Sequence, residues 1–136
     1  MWARSFGRSV VLACATLLSP KDRSFVTPVV CKASAGAIEH IELIKVTNLA
    51  RTLSDLKERE FWVYGAMLGD NTVPLPKLDP ASRSVIVMGS EGKGLRRLVA
   101  DTCDQLVNIP LHSDFDSLNV AQAGSILLYD FTSKVA

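Results

Sequence analysis

Apolar positions along the chain switch between short runs and stripes at helical spacing. Residues 85–88 are an unbroken apolar run, as expected of a parallel strand covered on both faces. Residues 10–18, 41–46, 61–64 and 105–109 also read as strands, and Pro110 ends the last of them. Between them lie helical patterns. Thr27 as N-cap and Pro28 at the first helical position start a helix running to about Glu39, with Val30, Ala33 and Ala37 on one face. Thr47 or Asn48 caps a second helix whose Leu49, Leu53 and Leu56 form one buried stripe. A short helix is expected over 95–101 and a closing helix from 118 to about 131. Residues 69–84, with Asp70-Asn71 and three prolines, read as a surface loop of variable length. Regular strand–helix alternation predicts an α/β fold, a parallel sheet with helices on both faces.

Composition narrows the class. The 136 residues suffice for one domain with a real core. Hydrophobic residues make up 48% and charged residues 21%, the profile of a buried globular domain. A net charge of +1 excludes a protein that grips nucleic acid by bulk electrostatics, so any RNA contact must come from a local patch or a partner. Cys14, Cys31 and Cys103 have no metal-like spacing, and His40 and His112 lie far apart. No metal site is expected, and the thiols read as reduced in a cytosol-like compartment. No segment approaches the ~18 apolar residues of a membrane span.

The first twenty residues allow three readings. Arg4, Arg8 and the apolar run 10–18 resemble a signal or transit peptide, and Val11-Leu12-Ala13-Cys14 resembles a lipoprotein box. The short run, β-branched at its start, also reads as a buried strand, which is the reading adopted.

Two glycine-rich or polar turns follow the last two strands. GSEGKG at 89–94 is not a phosphate loop, because Gly94 stands where Ser or Thr must follow the Gly-Lys pair. The dinucleotide fingerprint also fails, since no glycine stands three positions after Gly94. Taken alone, the segment is equally well a tight strand-to-helix turn. Ile109-Pro110 and then Ser117-Leu118-Asn119-Val120 form the second motif.

Together, GSEGKG and SLNV at this separation resemble the SpoU (TrmH-like) branch of the SPOUT RNA methyltransferases. Upstream, Pro20-Lys21-Asp22-Arg23-Ser24, Ser34-Ala35-Gly36-Ala37 and Val46-Thr47-Asn48-Leu49-Ala50-Arg51-Thr52 resemble the subfamily that methylates a guanosine ribose 2′-hydroxyl of large-subunit ribosomal RNA. The resemblance covers roughly residues 19–131. It implies a parallel α/β sheet closed by a C-terminal trefoil knot, a rare exception to ordinary chain topology. The small residues Ala121, Ala123, Gly124 and Ser125 suit such a knot, or an ordinary tightly packed helix.

The resemblance further implies S-adenosylmethionine as cofactor, large-subunit ribosomal RNA as partner, a homodimer, no membrane association and a cytoplasmic location. Carried over by position, backbone contacts to the cofactor fall on Gly89, Ile109 and Leu118, with Leu111 and Leu118 walling an apolar slot. Glu91, Ser117 and Asn119 match the polar positions near the reacting groups. Each has a plain structural alternative: Glu91 as a cap or ion-pair partner of the next helix, Ser117 as N-cap of the closing helix, Asn119 as a first-turn polar residue.

The family's first motif, an Asn followed by an Arg, has no counterpart here. Arg4 and Arg8 lack the preceding Asn, and the auxiliary RNA-binding domain common in the subfamily is missing. The expectation is an atypical segment at 1–18 followed by a methyltransferase domain at 19–136. The leading reading that the resemblance implies is an S-adenosylmethionine-dependent RNA ribose 2′-O-methyltransferase, in an N-terminally shortened domain expected to bind cofactor without robust methylation. The alternative is a catalytically impaired, cofactor-binding dimeric remnant.

Overall fold

Val85, Ile86, Val87 and Met88 are all buried, so the strand they form must be covered on both faces. The computed structural model describes residues 9–14 (backbone only), 32, 35, 44, 46–89, 94–111 and 118–135. Among them are five strands: β1 (Ser9–Cys14), β2 (Trp62–Ala66), β3 (Val73–Pro74), β4 (Arg83–Met88) and β5 (Gln105–Asn108). All pair in parallel, in the order β1-β4-β2-β5-β3. Pro74, which cannot donate to a ladder, sits on the edge strand β3, where that loss is tolerated.

Side chains alternate across the sheet as the pleat requires. On one face Val63, Val85 and Val87 pack with Leu53, Leu95 and Val99, under helices α1 (Leu49–Lys57) and α2 (Arg97–Thr102). On the other, Tyr64, Ile86, Met88 and Val107 pack with Leu127 and Phe131 of helix α3 (Val120–Val135). Tyr64 meets Phe131 edge-on at 5.1 Å between ring centroids. The expected two-sided parallel sheet is therefore what forms.

Helix α1 starts as the sequence predicts. The Asn48 Oδ1 accepts from the Arg51 N–H at 3.1 Å. The helix leaves through Glu60 in the left-handed region, φ 64°. There the Glu60 N–H donates to the Lys57 carbonyl at 2.9 Å and the Phe61 N–H to that of Leu56 at 3.1 Å. This is the double bond of a Schellman ending, with Leu56 and Phe61 in the same apolar cluster.

Several expectations shift. The strand expected over 10–18 is β1; residues 15–18 lie outside the described residues. Val11 to Cys14, the lipoprotein-box residues, belong to this strand and pair with Val85 to Met88. Of the helix expected from Thr27 to Glu39, only Lys32 and Ala35 are described. Lys32 is helical, but Ala35 is a turn residue at φ 49° whose N–H donates to the Lys32 carbonyl at 3.3 Å, so the helix does not continue regularly to Glu39. Most of the strand expected over 41–46 lies outside the described residues. Ile44 and Val46 carry no strand pairing. The expected surface loop 69–84 needs correction. It contains β3 and a 3₁₀ turn, Leu75–Lys77, and Leu75 and Leu78 are buried core residues. Lys134 of α3 fixes that turn, donating from Nζ to the carbonyls of Leu75 at 2.9 Å and Leu78 at 3.0 Å.

Candidate functional site

In a parallel sheet every strand ends at the same edge, and here the motif-bearing segments follow β4 and β5 at that edge. These strands are not neighbours. β2 lies between them, so the two motifs stand two strand spacings apart, roughly 10 Å. Ala66 pairs with both Met88 and Val107, and the Met67 N–H donates to the Val107 carbonyl at 3.0 Å. Continuing that register by one position sets Gly89, Met67 and Asn108 in a row across three strand ends. Motif reading along the chain missed the middle of this row, because only the strand order reveals that the end of β2 floors the gap.

Gly89 needs to be glycine for a steric reason. A Cβ there would meet the Gly94 carbonyl carbon at 2.2 Å, its oxygen at 2.5 Å and the Leu95 nitrogen at 2.6 Å. Gly89 and Gly94, five positions apart, are thus in close backbone contact, and Gly94 holds φ 61°. Leu95 then enters the core and α2 begins at Arg97.

On the other side, β5 ends at Asn108. Ile109 is half-buried against the cluster that includes Val120 and Ala123 of α3, and Leu111 and Leu118 are also half-buried. Apolar side chains thus flank the strand end where backbone groups run out of ladder partners. Asn119 caps α3: its Oδ1 accepts from the Gln122 N–H at 2.9 Å, and its carbonyl from the Ala123 N–H at 3.0 Å. The capping role weighed for Ser117 is filled by Asn119, because the helix starts at Val120. The cap occupies the amide's oxygen and holds the side chain at the sheet edge. Glu91 and Ser117 lie outside the described residues.

Of the expected positions, Gly89, Ile109, Leu118 and Asn119 follow the ends of β4 and β5, on the edge that β2 also reaches. This edge brings strand-end backbone groups beside the half-buried side chains of Ile109, Leu111 and Leu118, the kinds of group a nucleoside-sized ligand uses. Cys103 takes no part in it. Burial, with the Asp104 carboxylate beside it, pushes its thiol from 9.0 up to about 11 against the opposing pull of Lys57. Its Sγ donates to the Val99 carbonyl at 3.3 Å. Among the described residues no cluster of His, Cys, Asp and Glu could hold a metal ion, and no helix is long and apolar enough to cross a membrane.

The model of the SpoU rRNA methylase family matches residues 6–129. The chain belongs to that family. A protein of Staphylococcus aureus named as a TrmH family tRNA/rRNA methyltransferase is 43% identical over 119 residues, covering 87% of this chain and 48% of the relative. The 23S rRNA (guanosine-2′-O-)-methyltransferase RlmB of Pseudomonas syringae is 44% identical over 115 residues, covering 84% of this chain and 46% of that protein. This SpoU family chain thus spans about half the length of the curated relatives it matches. Its fold is that of solved family structures. The S-adenosylmethionine-bound rRNA methyltransferase of Sinorhizobium meliloti superposes with a TM-score of 0.74 at 23% identity, covering 94% of this chain and 47% of that one.

Proposed function

We propose that this SpoU family chain is the catalytic domain of an S-adenosylmethionine-dependent RNA ribose 2′-O-methyltransferase acting on large-subunit ribosomal RNA in the cytoplasm. What carries the reading is the adjacency of three strand ends, with Gly89 pressed on Gly94 at one side and Ile109 beside the start of α3 at the other. The 44% identity to a guanosine 2′-O-methyltransferase supports the ribosomal substrate. The cofactor-bound relative of the same fold supports the cofactor.

The residues present fit the group. Backbone atoms of Gly89, Ile109 and Leu118 hold the nucleoside part, and the side chains of Leu111 and Leu118 exclude water from it. S-adenosylmethionine, when bound, supplies an electrophilic methyl on a sulfonium sulfur. The chain's own contribution is positioning and charge. Glu91 and Ser117 match, in sequence, the polar motif positions of the family, and the role proposed for them is to orient the ribose hydroxyl and assist departure of its proton. Asn119, fixed by its capping bond, presents an amide whose N–H donors the cap does not use.

The trefoil knot and the homodimer belong to the same reading. On α3, Ile126 and Tyr129 stand one turn apart and remain 40% and 77% exposed. That is an outward apolar step on the helix that follows the second motif, suited to a second copy of the chain.

Two measurements on the purified chain test the proposal. Calorimetry with S-adenosylmethionine is expected to give micromolar binding, abolished in Leu118→Asp because a charge enters an apolar slot. Labelled methyl is expected to reach unmodified 23S ribosomal RNA only weakly, because no residue of the chain matches the family's Asn…Arg motif. Absence of heat at millimolar ligand overturns the reading. Binding with no transfer to RNA marks the impaired, cofactor-binding alternative.

A further inference from the structure

Three arginines stand at the unfavourable ends of their helices. Arg51 lies in the first turn of α1, and Arg96 and Arg97 are the N-cap and first residue of α2. Neither first turn holds an acid. A helix dipole favours anions at its N-terminal end and cations at its C-terminal end, so these charges oppose it. Local partners do not compensate. Among the described residues the one ion pair of the three is Arg97 Nε with Asp101, 3.8 Å apart with side chains 96% and 67% exposed, and such pairs contribute little. Arg96 makes no side-chain capping bond, and both it and Arg51 are exposed. Helix stability therefore gives no reason for the three guanidinium groups.

The fold brings them to one side. α1 leads into the start of β2 and α2 into the start of β5, so both helices run back from the edge where the strands end. They pack together on the face of Val63, Val85 and Val87. Lys57, the last residue of α1, donates to the carbonyl of Thr102, the last residue of α2, at 3.0 Å. Arg51 lies ~9 Å of helical rise before Lys57, and Arg97 ~7.5 Å before Thr102. The arginines therefore stand at similar heights, on the side of the strand-end edge. Arg96 follows closely on Gly94, whose backbone meets Gly89 at the end of β4. A net charge of +1 leaves any RNA contact to a local patch, and here is one. We propose that Arg51, Arg96 and Arg97 hold phosphates of the substrate RNA strand beside the ribose presented at this edge. The inference rests on the RNA reading above and adds the surface that engages the strand. Guanidinium groups suit the task, because their forked donors match phosphate oxygens and an RNA strand repeats that anion at every nucleotide.

The test is fluorescence anisotropy of the full chain with a labelled, unmodified single-stranded fragment of 23S ribosomal RNA, titrated at several salt concentrations. Arg96→Gln with Arg97→Gln is expected to weaken binding about tenfold at low salt. It should also reduce the slope of log affinity against log salt by about 1.4, two phosphate contacts at about 0.7 each. Adding Arg51→Gln should lower both further. Arg96→Lys with Arg97→Lys should bind within about threefold of wild type, because lysine also pairs with phosphate. Arg59→Gln with Lys77→Gln removes the same net charge from exposed positions elsewhere and should leave the slope unchanged. Melting temperatures of the Arg96 and Arg97 variants should not fall, because charges opposing the helix dipole have been removed. The single glutamine variants serve if the pair fails to fold. An unchanged slope on removing these arginines, an equal loss in the Arg59 and Lys77 variant, loss of binding in the lysine pair, or tighter binding of polyglutamate than of RNA overturns the inference. A wild type that binds S-adenosylhomocysteine by calorimetry but no RNA at low salt overturns the substrate reading as well, a separately visible result.

Discussion

Glu60 is a residue in a glycine's place. It holds φ 64° so that α1 can end and Phe61 can turn into the core, and the left-handed region costs an L-residue about 1–2 kcal/mol. Its side chain recovers little of that. The carboxylate lies 3.6 Å from Arg83 but is 89% exposed, and exposed pairs contribute little. Glu60→Gly is therefore expected to stabilise the protein by about 1 kcal/mol, read as a higher urea midpoint with unchanged slope.

Cys103 behaves in the opposite sense. A thiol pushed from 9.0 to about 11 stays protonated in the folded chain while its unfolded counterpart ionises. Stability is then flat below pH 9 and declines from pH 9 towards 11, because the unfolded state binds fewer protons there. Denaturation midpoints across that window should fall in wild type and fall less in Cys103→Ala. In the folded protein at pH 8 the thiol should also resist alkylation.

Elements with a clear period were legible in the sequence, and elements held by distant partners were not. Asn48, Leu53 and Leu56 announce α1, and residues 85–88 announce β4, because each signal is contained in its own segment. β3 and the 3₁₀ turn are different. A two-residue strand has no period, and Pro74, Pro76 and Pro80 make the stretch read as loop. What orders it is Lys134, far along the chain, which donates to the carbonyls of Leu75 and Leu78 and also meets the Asp130 carboxylate at 2.8 Å. Lys134→Ala removes the donor from both carbonyls together. It is expected to cost about 1–2 kcal/mol and to speed hydrogen exchange in residues 75–78 before the sheet is affected.

For the whole molecule, the sequence disclosed the two motifs but not the distance between them. GSEGKG and SLNV name the segments proposed to meet the cofactor. Strand order, which no local pattern encodes, puts β2 between them and brings Met67 and Asn108 into the same row. Gly89 is where the global arrangement is most sensitive to one atom. A Cβ at Gly65 would press on side-chain ends, Leu95 Cδ1 at 2.7 Å, Cys103 Sγ at 2.8 Å and Leu106 Cδ2 at 2.9 Å, which can give way. A Cβ at Gly89 would press on backbone, which cannot. Gly89→Ala is expected to push the backbone of Gly94 and Leu95 away and lower S-adenosylmethionine affinity at least tenfold by calorimetry. Far-ultraviolet circular dichroism should stay near wild type.

The placement of β2 also sets a timetable. Among the described strands no two neighbours are joined by a hairpin: Ser9 must find Arg83, Trp62 must find Ser84, and Tyr64 must find Gln105. Each pairing closes a long loop before it returns any contact, which makes folding slow for the chain's size. β4 and β5 cannot both be seated until β2 has entered between them. Ligand capture during refolding would therefore register completion of the sheet, later than the burial of any single helix.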